Sequence, residues 1–155
     1  MREILFKGQR TDNKEWIYGH YFTEVGRGID NSKNVIIHFI KDNFGTQIII
    51  PETVCQYTGL TDKNGVKIFE GDVVKWSFGQ HYWEAVISSI ENNKSNTLYA
   101  IETFHNCTKN KDEDYIYERS DSRRGVRNDI EFLSRNIVVI GNIHDKETLE
   151  ILINK

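Results

Sequence analysis

The residues best suited to bind a metal are two cysteines and two histidines. His105 and Cys107 lie two positions apart, His81 lies nearby in sequence, and Cys55 lies further back in the chain. A structural zinc site shows paired ligands at tight spacing, such as C-x₂-C or H-x₃-H, and the sequence contains neither pattern. We therefore expect no metal site, no cofactor and two reduced thiols. A disulfide between Cys55 and Cys107 is the alternative.

Two groups of carboxylates are the next candidates for chemistry. Glu70 and Asp72 flank a glycine, and residues 112–114 form an acidic run. Acid–base catalysis needs carboxylates in different environments within one cleft. We expect a glycine bend to separate the first pair and solvent to surround the second group. Because no catalytic triad order, phosphate-binding loop or nucleotide fingerprint accompanies them, the sequence predicts a protein that is not an enzyme.

One polar segment, residues 105–128, combines the residue types that bind nucleic acid. Arginines contact phosphates and aromatic rings stack on bases, and the segment contains Tyr115, Tyr117, Arg119, Arg123, Arg124 and Arg127. Acidic residues in the same segment nearly cancel this charge, and the formal net charge of the chain is −3. No general field therefore attracts nucleic acid or an anionic membrane. A local nucleic-acid site and a salt-bridged, solvated loop stay open as alternatives.

Aromatic side chains indicate a different kind of site. They make up 12% of the chain, and in a small domain most large rings must be buried. The predicted strand 15–22 carries Trp16 and Tyr18 on one face, and its opposite face is aromatic as well. Trp and Tyr are favoured at protein–protein contacts. We take Trp16 and Tyr18 as candidate residues for binding a protein partner or a second copy of the chain.

These candidates must be positioned by β structure. Short runs of β-branched and aromatic residues alternate with Gly, Asn and Asp turns, which predicts strands near 4–8, 15–22, 35–40, 46–50, 66–69, 73–78, 82–90, 97–104, 130–133 and 137–143. Leu149, Leu152 and Ile153 follow a 3.6-residue period after Asp145, a favourable N-cap. This spacing predicts a short helix over residues 146–153.

The length of 155 residues fits one domain or two small subdomains sharing a core. We predict an all-β fold, with an N-terminal β hairpin and sheet over residues 1–59. Residues 60–155 are predicted to form a small SH3-like β-barrel that carries the polar insertion 105–128 and the C-terminal helix. The apolar runs are too short to span a bilayer and no signal peptide is visible, so we expect a cytoplasmic protein with no membrane partner.

Four segments of the chain carry a family resemblance. They read REILFKG with WIYG (residues 2–8 and 16–19), ETV with QYTGLTDKNG (52–54 and 56–65), IFEGDVV (68–74) and VIGNIHD (139–145). In this order they resemble the YopX family of phage and prophage proteins. The resemblance implies a mostly β fold and a bacteriophage or prophage origin. It implies no activity, because that family is functionally uncharacterised.

The chain departs from the family pattern at Cys55, where the family usually has glycine, and in the polar insertion. The central stretch, residues 54–75, concentrates Gly, Asp and Glu, and we interpret it as a structural joint built from turns. We expect a non-enzymatic accessory protein that acts as an interaction module for a protein partner or for itself. The alternative is a nucleic-acid-binding module that uses the barrel face and the segment 119–127.

Overall fold

The computed structural model describes residues 3–28, 33–78, 81–91, 97–109, 115–119 and 135–153. The chain forms two compact units, residues 1–57 and residues 58–155. Its strands are β1 (Phe6–Gln9), β2 (Trp16–Arg27), β3 (Asn34–Lys41), β4 (Thr46–Ile48), β5 (Cys55–Thr61), β6 (Lys67–Phe69), β7 (Asp72–Phe78), β8 (His81–Glu91), β9 (Thr97–Lys109), β10 (Tyr115–Arg119) and β11 (Val138–Asn142). One helix, α1 (Lys146–Ile153), follows them. The predicted mostly β fold with a short C-terminal helix is confirmed.

The first unit is a sheet in the order β4-β3-β2-β1-β5. A bridge between Arg10 and Ile49 joins the end of β1 to the residue after β4, so the sheet curls towards itself. Ile40 and Ile49 fill the inside of this curl and are fully buried. Gly8 lets them approach, because a Cβ there would lie 3.0 Å from Ile49 Cδ1 and 3.2 Å from Ile40 Cδ1.

The second unit contains the five-stranded order β10-β9-β8-β7-β11. Strand β5 continues into this unit, where β6 lies beside it. The core is aliphatic, and its buried members are Ile68, Val74, Ala85, Ile87 and Ile137. No closed barrel is found among the described strands of this unit, so the SH3-like barrel stays a prediction.

The polar insertion predicted over residues 105–128 is partly regular β structure. Strand β9 continues to Lys109, and β10 pairs antiparallel with it from Tyr115 to Arg119. A strand ladder satisfies backbone groups whatever the polarity of the side chains, and Tyr and Ile favour it. The predicted end of this strand near residue 104 was therefore wrong, because it was based on the polarity of the residues that follow. Residues 120–128 and the predicted strand 130–133 lie outside the described residues.

Strand β2 is also longer than predicted. It runs to Arg27, whereas the sequence indicated an end near Phe22. Pairing with β3 continues through Thr23–His38 and Val25–Ile36 as far as Arg27–Asn34. In this stretch the cross-strand hydrogen bonds to β3 keep the chain in a strand, although its polar side chains do not favour one. None of the described helices is long and apolar enough to cross a membrane.

Candidate interaction surface

The hairpin of β2 and β3 extends beyond the strands on either side of it. The two strands pair from His20–Lys41 to Arg27–Asn34. Strand β1 pairs with β2 only as far as Gly19, and β4 pairs with β3 only from Phe39 onward. The outer part of the hairpin is thus a two-stranded structure without a third described strand beside it. We call residues 23–27 and 34–37 the β2–β3 ribbon.

The β2–β3 ribbon exposes apolar side chains. Val25 and Ile36 are directly opposite in the register, so they share one face, and they are 72% and 65% exposed. On the other face Val35 is 40% exposed, whereas Ile37 is half-buried because its Cδ1 lies over Gly26. Adjacent exposed Val and Ile side chains form a patch rather than isolated surface residues.

Aromatic contacts hold the base of the β2–β3 ribbon on both faces. Phe22 and Phe39 form a stacked cross-strand pair, with ring centroids 5.2 Å apart and planes at 15°. On the opposite face the Tyr21 hydroxyl lies 2.7 Å from His38 Nδ1, within hydrogen-bond distance. Phe6 from β1 contacts the Tyr21 ring at a centroid distance of 5.4 Å. The ribbon therefore projects from an ordered base.

Trp16 and Tyr18 lie on the same face of the sheet as Phe22, at the inner end of β2. The Lys7 ammonium lies 4.6 Å from the centroid of a Trp16 ring, a cation–π contact that leaves Trp16 half-buried. Tyr18 is opposite Lys7 in the register and is 51% exposed. Of the two candidate residues on β2, Tyr18 is thus the more accessible. The Trp16 ring is already in contact with Lys7 of the same unit.

Phe44 is the most exposed large apolar residue of the described chain, at 97%. It lies in the turn between β3 and β4, which Asp42 fixes by accepting hydrogen bonds at its Oδ1 from the Phe44 N–H (2.7 Å) and the Gly45 N–H (2.8 Å). A third bond, from the Asp42 N–H to the Gly45 carbonyl, closes the turn. An aspartate-capped turn of this type presents its central side chain in a defined direction.

The other candidate residues belong to the second unit. Tyr115, Tyr117 and Arg119 lie on β10, where their backbones pair with Lys109, Cys107 and Phe104 of β9. Arg123, Arg124 and Arg127 lie outside the described residues. The structure thus places Tyr115, Tyr117 and Arg119 in one strand. No signal in the sequence singled out Val25 or Ile36, because their exposure depends on where neighbouring strands end. Phe44 was not singled out either, and it is exposed because it lies in the turn that Asp42 caps.

Glu70 and Asp72 flank the tight bend at Gly71 between β6 and β7, as the residue types predict. Gly71 has a φ of +75°, a conformation that favours glycine. Asp72 is buried; its Oδ2 accepts the Phe69 N–H at 2.8 Å and its Oδ1 accepts the Asn142 side-chain N–H at 2.9 Å. The Asn142 amide also donates to the Glu70 carbonyl at 3.4 Å. Asp72 therefore connects two turns rather than facing a cleft.

A second buried carboxylate, Asp62, fixes the turn before β6. Its Oδ1 accepts the N–H groups of Asn64 (2.8 Å) and Val66 (2.9 Å), and its Oδ2 accepts the N–H of Val139 at 3.1 Å. The first two bonds shape the turn around Gly65, which has a φ of +83°. The third bond reaches β11 from a position far away in sequence. Asp62 is thus another structural link within the second unit.

Comparison with known protein families concerns the two turns that Asp62 and Asp72 fix, because these turns lie in the segments that carry the family resemblance. The family model described as YopX protein matches residues 5–150, which is nearly the whole chain. The chain belongs to the YopX family. The segments 56–65, 68–74 and 139–145, which carry the resemblance, are the segments that Asp62, Asp72 and Asn142 hold together. In this YopX-family chain the motif positions around the second unit's turns are therefore structural.

A solved structure is similar over nearly the whole chain. It is the crystal structure of protein EF1440 from Enterococcus faecalis, with 20% sequence identity and a TM-score of 0.40. The match covers 96% of this chain and 99% of that one. No curated protein is significantly similar in sequence.

Cys55, the departure from the family pattern, is a buried free thiol. It lies in β5 opposite Lys7 of β1, so the strand is regularly paired at this position. Its Sγ–H donates to the Thr53 carbonyl at 3.3 Å. Within the part of the chain that the structure describes, no group of three or more His, Cys, Asp or Glu residues is arranged to hold a metal ion.

The clearest electrostatic effect in the first unit is an exposed ion pair. Arg10 Nε and one terminal guanidinium nitrogen donate to the two carboxylate oxygens of Asp12, at 2.9 and 2.6 Å. These hydrogen bonds raise the pKa of Arg10 and lower the pKa of Asp12. The pair lies in the turn between β1 and β2 and fixes the shape of that turn. Because the pKa of Arg10 is raised and the pKa of Asp12 is lowered, both groups stay charged at neutral pH.

Proposed function

We propose that this YopX-family protein is a non-enzymatic interaction module that binds a protein chain through the β2–β3 ribbon. The observation that carries the proposal is the opposed pair Val25 and Ile36, both largely exposed on a ribbon that has no third described strand beside it. A role as an accessory protein of a phage or prophage belongs to the same proposal and rests on the family resemblance of the motifs.

The energetics support binding at this position. Burying an exposed Val or Ile side chain contributes roughly 1.5–3 kcal/mol, so covering Val25 and Ile36 supplies part of the free energy that a specific complex needs. An isolated two-stranded hairpin is marginally stable in water. A partner that covers the β2–β3 ribbon therefore stabilises the ribbon as well as the complex.

The buried carboxylates support a role without catalysis. Asp62 and Asp72 accept hydrogen bonds from backbone and amide groups and are 4% and 1% exposed. A catalytic carboxylate must reach a substrate, and these two side chains are enclosed within the second unit. A nucleic-acid-binding module that uses the barrel face and the segment 119–127 remains the alternative proposal. Arg119 is the only arginine of that segment that the structure describes.

A pull-down from lysate of infected or lysogenic host cells tests the proposal. The bait is the full chain, compared with the Val25→Lys/Ile36→Lys variant and with a Val66→Lys control, which replaces a residue that is 49% exposed in the second unit. Each bait is used with and without nuclease. We expect a protein that is retained by the wild type and by the control, is lost from the ribbon variant and is insensitive to nuclease.

Two results contradict the proposal. Capture that nuclease abolishes favours the nucleic-acid alternative. Capture that the ribbon variant retains at wild-type level moves the binding site away from the β2–β3 ribbon. Circular dichroism and thermal melting of each bait establish that a loss of capture does not reflect a loss of folding.

A further inference from the structure

The outer edge of β3 presents backbone groups that face no described strand. The Ile49 N–H donates to the His38 carbonyl at 3.0 Å, so even-numbered residues of β3 direct their backbone groups away from β2. The Gly28 N–H donates to the carbonyl of Lys33, so this odd-numbered residue directs its carbonyl towards the β2 side. Odd-numbered and even-numbered residues therefore face opposite edges. Beyond the end of β4, Asn34 and Ile36 therefore direct their N–H and C=O groups outward.

The side chains along this edge favour strand addition. Natural edge strands are usually protected from pairing by charges, prolines or bulges. Residues 34–37 contain none of these, and Val35 and Ile36 are 40% and 65% exposed. The outer edge of β2 differs, because Glu24 and Arg27 are exposed there. The β3 edge is thus the edge of the ribbon that an added strand can pair with at little electrostatic cost.

Symmetry limits how a second copy pairs with this edge. A two-fold axis perpendicular to the sheet places equivalent residues of two antiparallel strands opposite each other. An axis beside Ile36 would set Asn34 of the second copy against His38, whose carbonyl already accepts the Ile49 N–H. An axis beside Val35 sets Asn34 of each copy against Ile36 of the other. Among the registers that pair only described residues, this one uses the outward groups of both residues in both copies.

We propose that two copies of the protein pair through their β3 edges in this register, with Val35 opposite Val35 of the second copy. This inference rests on the proposed function and names the partner. The dimer joins two ribbons into one antiparallel sheet in the order β2-β3-β3-β2. Four intermolecular backbone hydrogen bonds form, and the two Val35 side chains meet at a position without such bonds, where strands approach most closely.

The interface is small, so the dimer is weak and concentration-dependent. Two effects stabilise the dimer relative to the separate copies. Each ribbon obtains a third and a fourth strand, which a sheet needs for stability of its own. The exposed faces of Val35 and Ile36 also become partly covered. Light scattering from micromolar to submillimolar protein should therefore show a mass that rises from one copy towards two.

Cysteine cross-linking tests the register in the full chain with Cys107→Ser. Val35→Cys places two thiols on residues whose Cα atoms are about 4.5 Å apart in the proposed dimer, within the range of a disulfide. Val25→Cys is the matched control, since Val25 is more exposed but lies on β2, one strand further from the axis. We expect Val35→Cys to form a disulfide-linked dimer at least tenfold faster than Val25→Cys under the same mild oxidant.

A proline variant tests the backbone pairing independently. Ile36→Pro removes an outward N–H but no hydrogen bond to β2, and proline is tolerated at such edge positions. We expect it to keep the melting temperature of a dilute sample and to abolish the concentration-dependent mass. If the Ile36→Pro variant has a much lower melting temperature than the wild type, Ile36→Lys replaces it in the test. A charge at the edge blocks pairing without changing the backbone.

The inference is overturned if the wild type stays monomeric at submillimolar concentration, or if the two cysteine variants cross-link at equal rates. Neither result contradicts the proposed function, which fails if nuclease abolishes capture or if the Val25→Lys/Ile36→Lys variant still captures its protein partner. A monomeric protein that loses its partner in that variant would show that a different chain covers the ribbon.

Discussion

Gly141 is the position where a single methyl group should have the largest effect on the second unit. It lies in β11, and a Cβ built there would lie 2.8 Å from both Cβ and Cγ2 of Thr148 and closer still to its hydroxyl oxygen. Thr148 is a buried residue of α1, 6% exposed. Carbon atoms in contact are normally about 3.5–4.0 Å apart. Alanine at position 141 therefore requires the helix to move outward by about 1 Å.

The cost of Gly141→Ala follows from this displacement. Overpacking of a well-packed site typically destabilises by about 1–3 kcal/mol, and we expect the upper end because three atoms of Thr148 are affected. For a chain of this size that corresponds to a melting temperature lower by roughly 6–12 °C. Helix α1 has only eight residues and is not stable without packing, so it should separate from β11 before the rest of the unit unfolds.

The Thr148→Gly variant provides the control, because it removes all the atoms that the new Cβ would meet. Alone it should cost about 1 kcal/mol through helix propensity and lost packing. In the double variant we expect at least about 2 kcal/mol of the Gly141→Ala penalty to disappear, a coupling typical of residues in contact.

Urea unfolding followed by circular dichroism measures these free energies, and hydrogen exchange of the α1 amides reports helix separation. The close approach of Gly141 and Thr148 is refuted if Gly141→Ala is as stable as the wild type. It is also refuted if the two substitutions add without coupling.

Three further predictions concern single side chains. Asp62→Ala leaves three backbone N–H groups without their acceptor and should cost about 3 kcal/mol in urea unfolding, whereas Asp62→Asn keeps one acceptor oxygen and should cost less; equal losses would contradict this. Cys55, 3% exposed, should resist thiol reagents in a Cys107→Ser background until the protein unfolds, and rapid labelling of the native chain would show that the site opens. The Asp12 carboxyl should titrate below its usual range by NMR and return towards it in Arg10→Gln; its contribution to stability is present above the unfolded-state pKa and is lost as the pH falls towards the lowered folded-state pKa.

Turn chemistry and strand pattern were readable from the sequence. The Asn-Gly turn at Gly65 and the bend at Gly71 were predicted from residue types, and both glycines have positive φ in the structure. Helix α1 followed from the spacing of its leucines and isoleucine. Such features are local, because a few neighbouring residues decide the backbone conformation.

The candidate interaction surface was only partly predictable. Alternation along β2 identified Trp16 and Tyr18 as lying on one face, but the contact of Lys7 with Trp16 depends on the register of β1 against β2. The exposure of Val25 and Ile36 depends on the short lengths of β1 and β4 beside a longer hairpin. Residue types within β2 and β3 carry no information about where those neighbours stop.

The sequence by itself determined the family, the mostly β class and the positions of the turns, because glycine conformation, strand alternation and motif order are properties of short segments. Only the tertiary structure decided which strands meet, in which register and over what length. Those choices depend on packing between residues distant in the chain, such as Asp62 with Val139 or Gly141 with Thr148. They also leave the β3 edge at Asn34 and Ile36 unpaired in the described chain, which no local pattern in Asn34–Lys41 reveals.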